Sequence, residues 1–149
     1  MGTKIRDAVY ADIPEIMVML ENFSEFYGTR IKVFPHPDEA AVIIANLIEE
    51  HVFLVADKDG ELVGLIAGFS VPHILNPRIR ILSECFWWTE EAHRNGLAGG
   101  RLLAEFIKRG KNGYDWITLS LVDKLSPIQS EAIEKRDFVK KETAFLMEV

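Results

Sequence analysis

Residues 94–101 form a short glycine-rich turn in which charged side chains flank backbone that glycines leave accessible. The turn reads Arg94, Asn95, Gly96, Leu97, Ala98, Gly99, Gly100 and Arg101. An aromatic run precedes it, and apolar residues at helical spacing follow it. The first N–H groups of a helix have no partner within the helix and carry partial positive charge, and glycines let a ligand approach the backbone. The pattern predicts a site for a phosphorylated ligand.

Two common phosphate-binding loops do not fit this turn. The chain lacks the Gly-Lys-Ser/Thr sequence of a P-loop, and no acidic residue follows the glycines at the distance where a dinucleotide fold binds ribose. Residues 92–111 carry five basic side chains and one acidic one. That cluster fits either a solvated helix face or a positive field for an anionic cofactor.

The composition predicts one cytoplasmic domain with neither nucleic acid nor membrane as a partner. A chain of 149 residues suits a single domain, and its net charge of −6 argues against broad nucleic-acid binding. No apolar run approaches the roughly 20 residues of a membrane helix. The lone cysteine, Cys85, excludes an intrachain disulfide and favours a reducing compartment. The four histidines lack metal-ligand spacing, so we expect no metal.

Hydrophobic periodicity and turn residues predict an α/β domain with the element order β-α-α-β-β-β-α-β-α-β. Asp12 and Asp38 are expected to cap the first two helices. Strands are expected over residues 4–9, 52–56, 62–70, 79–89 and 116–121, with one or two more in 138–149. Later helices are expected over residues 97–109 and 126–136. The strand–helix–strand order after residue 79 implies a parallel pair. The result is a mixed, mostly antiparallel sheet of six to seven strands with helices on both faces.

The glycine-rich turn resembles the acyl-CoA site of the GNAT superfamily of N-acyltransferases. In that family a central strand leads to an Arg/Gln-x-x-Gly-x-Gly/Ala turn and then to a helix with a leucine pair. With Arg94 on the family arginine, Gly99 takes the second glycine position and residues 102–103 supply the leucines. Leu97 then stands where the first glycine is usual. A second register, with His93 on the arginine, misplaces the leucines.

The resemblance extends along the chain and is closest to small acetyltransferases of bacteria and their phages. It implies a GNAT-like domain over residues 1–149, with acetyl-CoA as co-substrate and an amine of a small molecule or protein as acceptor. Near the C-terminus, Ser126 stands at a family asparagine, and Ile133 replaces the tyrosine that commonly protonates the departing thiolate. The family often dimerises through its last strands, which makes a homodimer an alternative to a monomer. The acyl length stays open.

The resemblance also assigns roles to individual residues. Glu84, ten residues before Arg94, lies near the place of the catalytic glutamate in some members, although a structural carboxylate is the alternative reading. Backbone N–H groups near Trp88 and Thr89 would hold the oxyanion. The amides of residues 94–99, the Arg101 side chain, Gly100 and Ser126 would hold the cofactor. The expected reaction is direct attack of a primary amine on the thioester. The rival hypothesis is a catalytically silent module that binds acyl-CoA or a partner protein.

Overall fold

A five-stranded sheet forms the centre of the protein in the computed structural model, which describes residues 2–122 and 127–149. The strands lie in the order β1-β2-β3-β4-β5, and only the pair β4–β5 is parallel. They are β1 (Thr3–Asp7), β2 (Val52–Lys58), β3 (Glu61–Pro72), β4 (Arg80–Thr89) and β5 (Trp116–Thr118). The helices are α1 (Ile13–Tyr27), α2 (Pro37–Glu50), α3 (Ala98–Lys111) and α4 (Pro127–Glu134).

Two apolar cores lie on opposite faces of the sheet. On one face, α1 and α2 bury Ile16 and Ile44 against strand residues such as Val55. On the other face, α3 buries Leu102 and Phe106 against the alternate residues of the same strands. Strands β2 and β3 are covered on both sides, which is why they read as continuous apolar runs. The expected mixed sheet with helices on both faces is confirmed.

The expected six to seven strands are wrong for the part of the chain that the structure describes, which holds five. Residues 138–149 form no strand, although their apolar residues recur in a strand-like pattern. Strand β5 also ends at Thr118 rather than at residue 121. A strand requires a partner whose N–H and C=O groups face it, and alternation in one segment does not supply that partner.

The helix starts also differ in detail from the expected caps. His36, not Asp38, is the N-cap of α2, and its Nδ1 accepts a hydrogen bond from the Asp38 N–H at 3.3 Å. Asp12 does occupy the N-cap position of α1, but its side chain does not cap that helix. Its carboxylate accepts hydrogen bonds from the Val9 N–H and the Arg6 guanidinium. Gly28 ends α1 with φ of 77°, a conformation that glycine adopts without strain.

Candidate functional site

The first turn of α3 packs directly against the end of β4. The Trp87 Nε1–H donates to the Gly99 carbonyl at 3.3 Å. A Cβ atom added to Gly99 would lie 3.1 Å from the Thr89 hydroxyl oxygen, so a larger residue would push the helix away from the strand. The side chains of Leu102 and Leu103, one turn later, are buried in the core under the sheet. These contacts fix the N-terminus of α3 beside the last residues of β4.

The N-terminal amides of α3 have no partner from their own helix. The Arg101 N–H makes the first helical bond, to the Leu97 carbonyl, so the N–H groups of Ala98, Gly99 and Gly100 precede the hydrogen-bond ladder. Leu97 occupies the N-cap position and provides no side-chain acceptor. A Cβ atom at Gly100 would meet open space. These uncapped amides and the accessible backbone fit a pyrophosphate group, which needs several donors at close range.

Within the part of the chain that the structure describes, the edge of β4 that faces β5 has no strand partner beyond its first residues. The two strands pair only between Ile81–Ser83 and Trp116–Thr118. On the opposite edge, the Glu90 N–H donates to the Val63 carbonyl of β3. Since successive residues of a strand direct their N–H groups to opposite edges, the Thr89 N–H faces the open side. The parting of β4 and β5 therefore leaves backbone donors and acceptors along the last half of β4 without a strand partner among the described residues.

Glu84 lies at the point where β4 and β5 separate. Its Oε1 accepts a hydrogen bond from the Ser120 N–H at 3.4 Å, across the gap from the residues that follow β5. The side chain is half-buried, and loss of hydration raises the pKa of the Glu84 carboxyl to about 7. The Ser120 N–H opposes that shift, because it favours the carboxylate. A carboxyl with a pKa near neutrality can both accept and release a proton under physiological conditions.

Cys85 is the additional residue of a β-bulge. Glu84 is paired with Gly68 and Phe86 with Ala67, so Cys85 has no partner of its own on β3. Its Sγ donates to the Ala67 carbonyl at 3.4 Å. Burial, reinforced by the neighbouring Glu84 carboxylate, raises the pKa of the Cys85 thiol to about 12. The thiol therefore stays protonated, which argues against a cysteine nucleophile.

Arg94 follows β4 by five residues, and its side chain turns back to the end of that strand. Its Nε–H donates to the Thr89 carbonyl at 2.9 Å. The guanidinium carbon lies 4.4 Å from the ring centroid of Trp88 and 5.7 Å from that of Phe26. These contacts hold the Arg94 side chain against the aromatic residues of α1 and β4, which favours a structural role for that side chain. Trp88 itself is buried, and its Nε1–H has no hydrogen-bond partner within the described residues.

Two of the basic residues of α3, Arg101 and Arg109, contact β1. The Arg101 guanidinium donates to the Thr3 carbonyl. Arg109 forms a bidentate pair with Asp7, with both N–O distances 2.8 Å, and a further pair with Glu105. Arg109 therefore joins α3 to the edge strand, and its charge is paired within the protein rather than free for an anionic cofactor.

The structure describes only some of the residues that were expected in the C-terminal part of the site. Ser126 lies outside the described residues. Ile133, at the expected tyrosine position, is buried in the core on the α3 face of the sheet. The position therefore contributes packing and offers no proton. Of the other expected residues, Asn95, Gly96 and Leu97 form the exposed backbone between β4 and α3.

The sequence does not show the apolar cavity of about 100 Å³ that lies between α1 and α2. Phe86 of β4 lines it, together with Leu20, Ser24, Val33, Phe34, Pro35, Ala40, Ile43 and Ile44. The one available signal was the apolar character of residues 33–34 in a loop that the sequence otherwise marks as a break. The periodicity of each helix was visible, but the space left between the helices was not.

The sequence model of the Acetyltransferase (GNAT) family matches residues 17–122. The chain belongs to this family. GNAT proteins carry out acyl-CoA-dependent acetyl transfer with acetyl-CoA as co-substrate, and the uncapped start of α3 beside the open edge of β4 fits that group. No curated protein sequence matches the chain. Among the described residues, none of the helices has the length and apolar character needed to span a bilayer.

Solved structures share the GNAT fold over nearly the whole chain. A transcriptional regulator from Bacillus halodurans C-125 is 20% identical, with a TM-score of 0.78 over 99% of this chain and 100% of that one. A ribosomal-protein-alanine N-acetyltransferase from Brucella melitensis biovar Abortus 2308 is 12% identical, with a TM-score of 0.78 and full coverage of both. A predicted acetyltransferase with acetyl-CoA from Clostridium acetobutylicum is 16% identical, with a TM-score of 0.74 over 98% of this chain and 96% of that one.

Proposed function

We propose that this GNAT protein is an N-acetyltransferase that transfers the acetyl group of acetyl-CoA to a primary amine by direct attack. The observation that carries the proposal is the position of Glu84, a half-buried carboxyl with its pKa raised to about 7. It lies where β4 and β5 part, on the strand whose end meets the uncapped N-terminus of α3. A candidate proton acceptor and an anion-binding helix terminus are thus supplied by β4 and by the helix that follows it.

The backbone around α3 would hold the cofactor. The N–H groups of Ala98, Gly99 and Gly100 suit the pyrophosphate, and charge-assisted hydrogen bonds of this kind contribute about 1.5–3 kcal/mol each. The family pattern adds the turn amides from Arg94 to Leu97, the Arg101 side chain and Ser126. The open edge of β4 next to Trp88 and Thr89 offers backbone groups to the remainder of the cofactor and to the oxyanion. Bound acetyl-CoA supplies the thioester that the amine attacks.

Glu84 would remove a proton from the acceptor amine. An alkyl ammonium group has an ordinary pKa of about 10.4, so at pH 7 only the loss of a proton makes it a nucleophile. A carboxylate with a pKa near 7 accepts that proton directly or through one water molecule. Cys85 has no part in this route, since its thiol remains protonated and points to the Ala67 carbonyl.

The departing thiolate would receive its proton from solvent. Ile133 occupies the position of the family tyrosine and packs in the core, so it has no proton to give. A thiolate has a conjugate acid with an ordinary pKa of about 8.5 and is therefore a fair leaving group near neutrality. The same observation supports the alternative function, a silent module that binds acyl-CoA or a partner protein without turnover.

The release of free CoA thiol tests the proposal. The protein with acetyl-CoA and a panel of primary amines is expected to release thiol in an amine-dependent manner. Glu84→Gln should reduce turnover while leaving the affinity for acetyl-CoA unchanged. Glu90→Gln is the matched control, because Glu90 lies on the same segment and accepts its hydrogen bonds from Asn22 of α1. Cofactor binding without thiol release from any amine would favour the silent module.

We also propose that two copies associate in a reducing, cytoplasmic compartment, where the single cysteine remains free. The support for association is the C-terminal segment, in which Phe145, Leu146 and Met147 expose 94%, 66% and 82% of their surfaces. Exposed apolar residues in such a cluster favour a protein partner. Sedimentation of the wild type and of Phe145→Ser should separate a dimer from a monomer, and a monomeric wild type would contradict association.

A further inference from the structure

Residues 145–148 are exposed in the order opposite to the one that their polarity predicts. The apolar row, which consists of Phe145, Leu146 and Met147, exposes between 66% and 94% of each residue. The charged residue that follows, Glu148, exposes only 23% of its side chain. Burial of apolar surface is the main favourable term in folding and in association, so a row of apolar side chains turned to solvent indicates a surface for a protein partner.

Glu148 holds the apolar row beside the loop between α1 and α2. Its two carboxylate oxygens accept hydrogen bonds from the Arg30 and Ile31 N–H groups at 2.7 and 3.1 Å, and the Arg30 Nε lies 3.6 Å from the carboxylate. Hydrogen bonds to an ionised group are about twice as strong as neutral ones. Because this contact already orders the segment, a partner that binds the apolar row avoids part of the entropic cost of association.

The same loop leads to the apolar cavity of about 100 Å³ between α1 and α2. Val33 of the loop and Ile43 of α2 line the cavity and expose 54% and 50% of their surfaces, so they form an open rim. Ser24 is the one hydroxyl-bearing residue among the described lining residues, and its hydroxyl donates to the Glu21 carbonyl of its own helix at 2.7 Å. The cavity therefore offers contact surface to an apolar side chain.

The apolar row and the cavity belong to adjoining parts of one surface. Ile31, whose N–H donates to Glu148, precedes Val33 of the rim by two residues. In a dimer with twofold symmetry each copy presents the same surface, so a surface that carries both projecting side chains and a hollow complements itself. Its exposed apolar residues are Ile31, Val33, Ile43, Phe145, Leu146 and Met147. Together they expose on the order of the 800 Å² that each partner buries in an interface of standard size.

The volume of the cavity distinguishes between the side chains of the apolar row. A cavity of roughly 150 Å³ admits a benzene ring, so one of about 100 Å³ suits an aliphatic side chain better than the ring of Phe145. Methionine is unbranched and adapts its shape to an irregular hollow. Within one copy Glu148 is bound to its own loop while Met147 stays 82% exposed beside it. The Met147 that fits the cavity therefore comes from another copy.

We propose that this surface is the contact between two copies of the chain, and that Met147 of each copy enters the cavity between α1 and α2 of the other. The inference rests on the proposed association of two copies and adds the surface that receives the C-terminal segment. It requires no strand in residues 138–149, where the structure has none.

Sedimentation equilibrium of paired variants tests both sides of the contact. The wild type should be a dimer, and Met147→Ser should raise its dissociation constant about tenfold or more. Ser24→Leu fills the cavity and should have the same effect. Met147→Leu and Ser24→Ala preserve the side-chain volume and the cavity, and both should associate like the wild type. Ile74→Ser is the control for loss of an exposed apolar residue, because Ile74 is 94% exposed on the loop between β3 and β4 and does not line the cavity.

Disulfide trapping identifies which copy supplies Met147. Chains with Ile43→Cys and mass-tagged chains with Met147→Cys should form a disulfide between the two different chains when mixed and oxidised. A chain that carries both substitutions should be crosslinked to a second copy. A disulfide within one chain would assign the cavity to the segment of the same copy and would overturn the inference.

Two further outcomes would contradict the contact. A monomeric wild type would overturn both this contact and the proposed association, and binding of an amphipathic peptide to that monomer would assign the surface to another protein. A dimer that Phe145→Ser dissociates, but that Met147→Ser and Ser24→Leu leave intact, would overturn the contact alone. Amine-dependent thiol release measures the transferase function separately, so neither outcome depends on turnover.

Discussion

At the scale of single residues, two carboxylates, one within β4 and one directly after it, have different environments. Glu84 is half-buried in the gap between two strands, where its carboxylate accepts a hydrogen bond from the Ser120 N–H. Glu90, six residues later, receives the Asn22 amide from α1. The chemical difference between them arises from desolvation, which a sequence does not display. Position in the family pattern pointed to Glu84, and its surroundings supply the physical reason.

The first prediction concerns the pH dependence of the reaction. Because the Glu84 carboxyl must be ionised to accept a proton and its pKa is about 7, kcat/KM should rise with pH through neutrality and then level. Glu84→Gln should lower kcat about 100-fold or more and remove the rise of kcat/KM with pH. A pH series of initial rates measures both effects. A profile that is unchanged by the substitution would exclude Glu84 as the base.

The second prediction is that the same substitution, Glu84→Gln, raises the stability of the fold although it lowers the activity. The folded pKa of Glu84 lies above its ordinary value of 4.5, so the folded state binds the proton more tightly than the unfolded state does. The free energy of unfolding therefore falls as pH rises from about 4.5 to 7, by roughly 3 kcal/mol at most. Glu84→Gln should be more stable than the wild type in urea at pH 8 and equal to it at pH 4. Lower stability of the variant at pH 8 would contradict a desolvated carboxylate.

At the scale of elements, a substitution at the start of α3 should weaken cofactor binding with little change in the stability of the fold. Gly100→Val places a side chain in open space beside the uncapped amides. We expect a loss of acetyl-CoA affinity of at least tenfold with little change in stability, since valine is a better helix former than glycine. Gly113→Val is the matched control after the end of α3, where a Cβ atom also meets open space. Calorimetric titration with acetyl-CoA measures both variants, and equal affinities would remove the helix start from the site.

The junction of β1 and α1 should give the protein an acid-sensitive component of stability. The Arg6 guanidinium and the Val9 N–H lower the pKa of the buried Asp12 carboxyl. The resulting stabilisation is complete above the unfolded pKa of about 3.9 and is lost as pH falls through the lower folded pKa. Asp12→Asn should cost about 2 kcal/mol at pH 7 and less at pH 3. Urea unfolding measures it, and the exposed Asp38→Asn should match the wild type at both pH values.

At the scale of the whole molecule, ligand-induced stabilisation should identify the cofactor. A ligand at 100 times its dissociation constant stabilises the fold by about 2.7 kcal/mol, which corresponds to several degrees in Tm for a chain of this size. Acetyl-CoA and CoA are expected to raise the Tm, and ATP and NAD are not. A thermal scan with the four ligands in parallel checks this. A rise with ATP or NAD alone would contradict an acyl-CoA site.

Periodicity and turn residues were sufficient to predict most of the α/β order and the parallel pair after residue 79. They did so because an amphipathic helix or a buried strand leaves its own period in the chain. The C-terminal strands were predicted wrongly, because a strand depends on a second edge that pairs with it. The fold of residues 138–149 therefore cannot be read from their apolar pattern alone.

The sequence by itself determined the glycine-rich turn, the family and the position of Glu84, because these depend on residue types at short spacing along the chain. Only the tertiary structure decided the surroundings of these groups. It pairs Arg109 with Asp7, buries Ile133 in the core, leaves the α3 amides uncapped and places Glu84 between separating strands. It also formed the apolar cavity against Phe86. Desolvation, pairing and enclosed volume are properties of neighbours in space, and those neighbours come from distant parts of the chain.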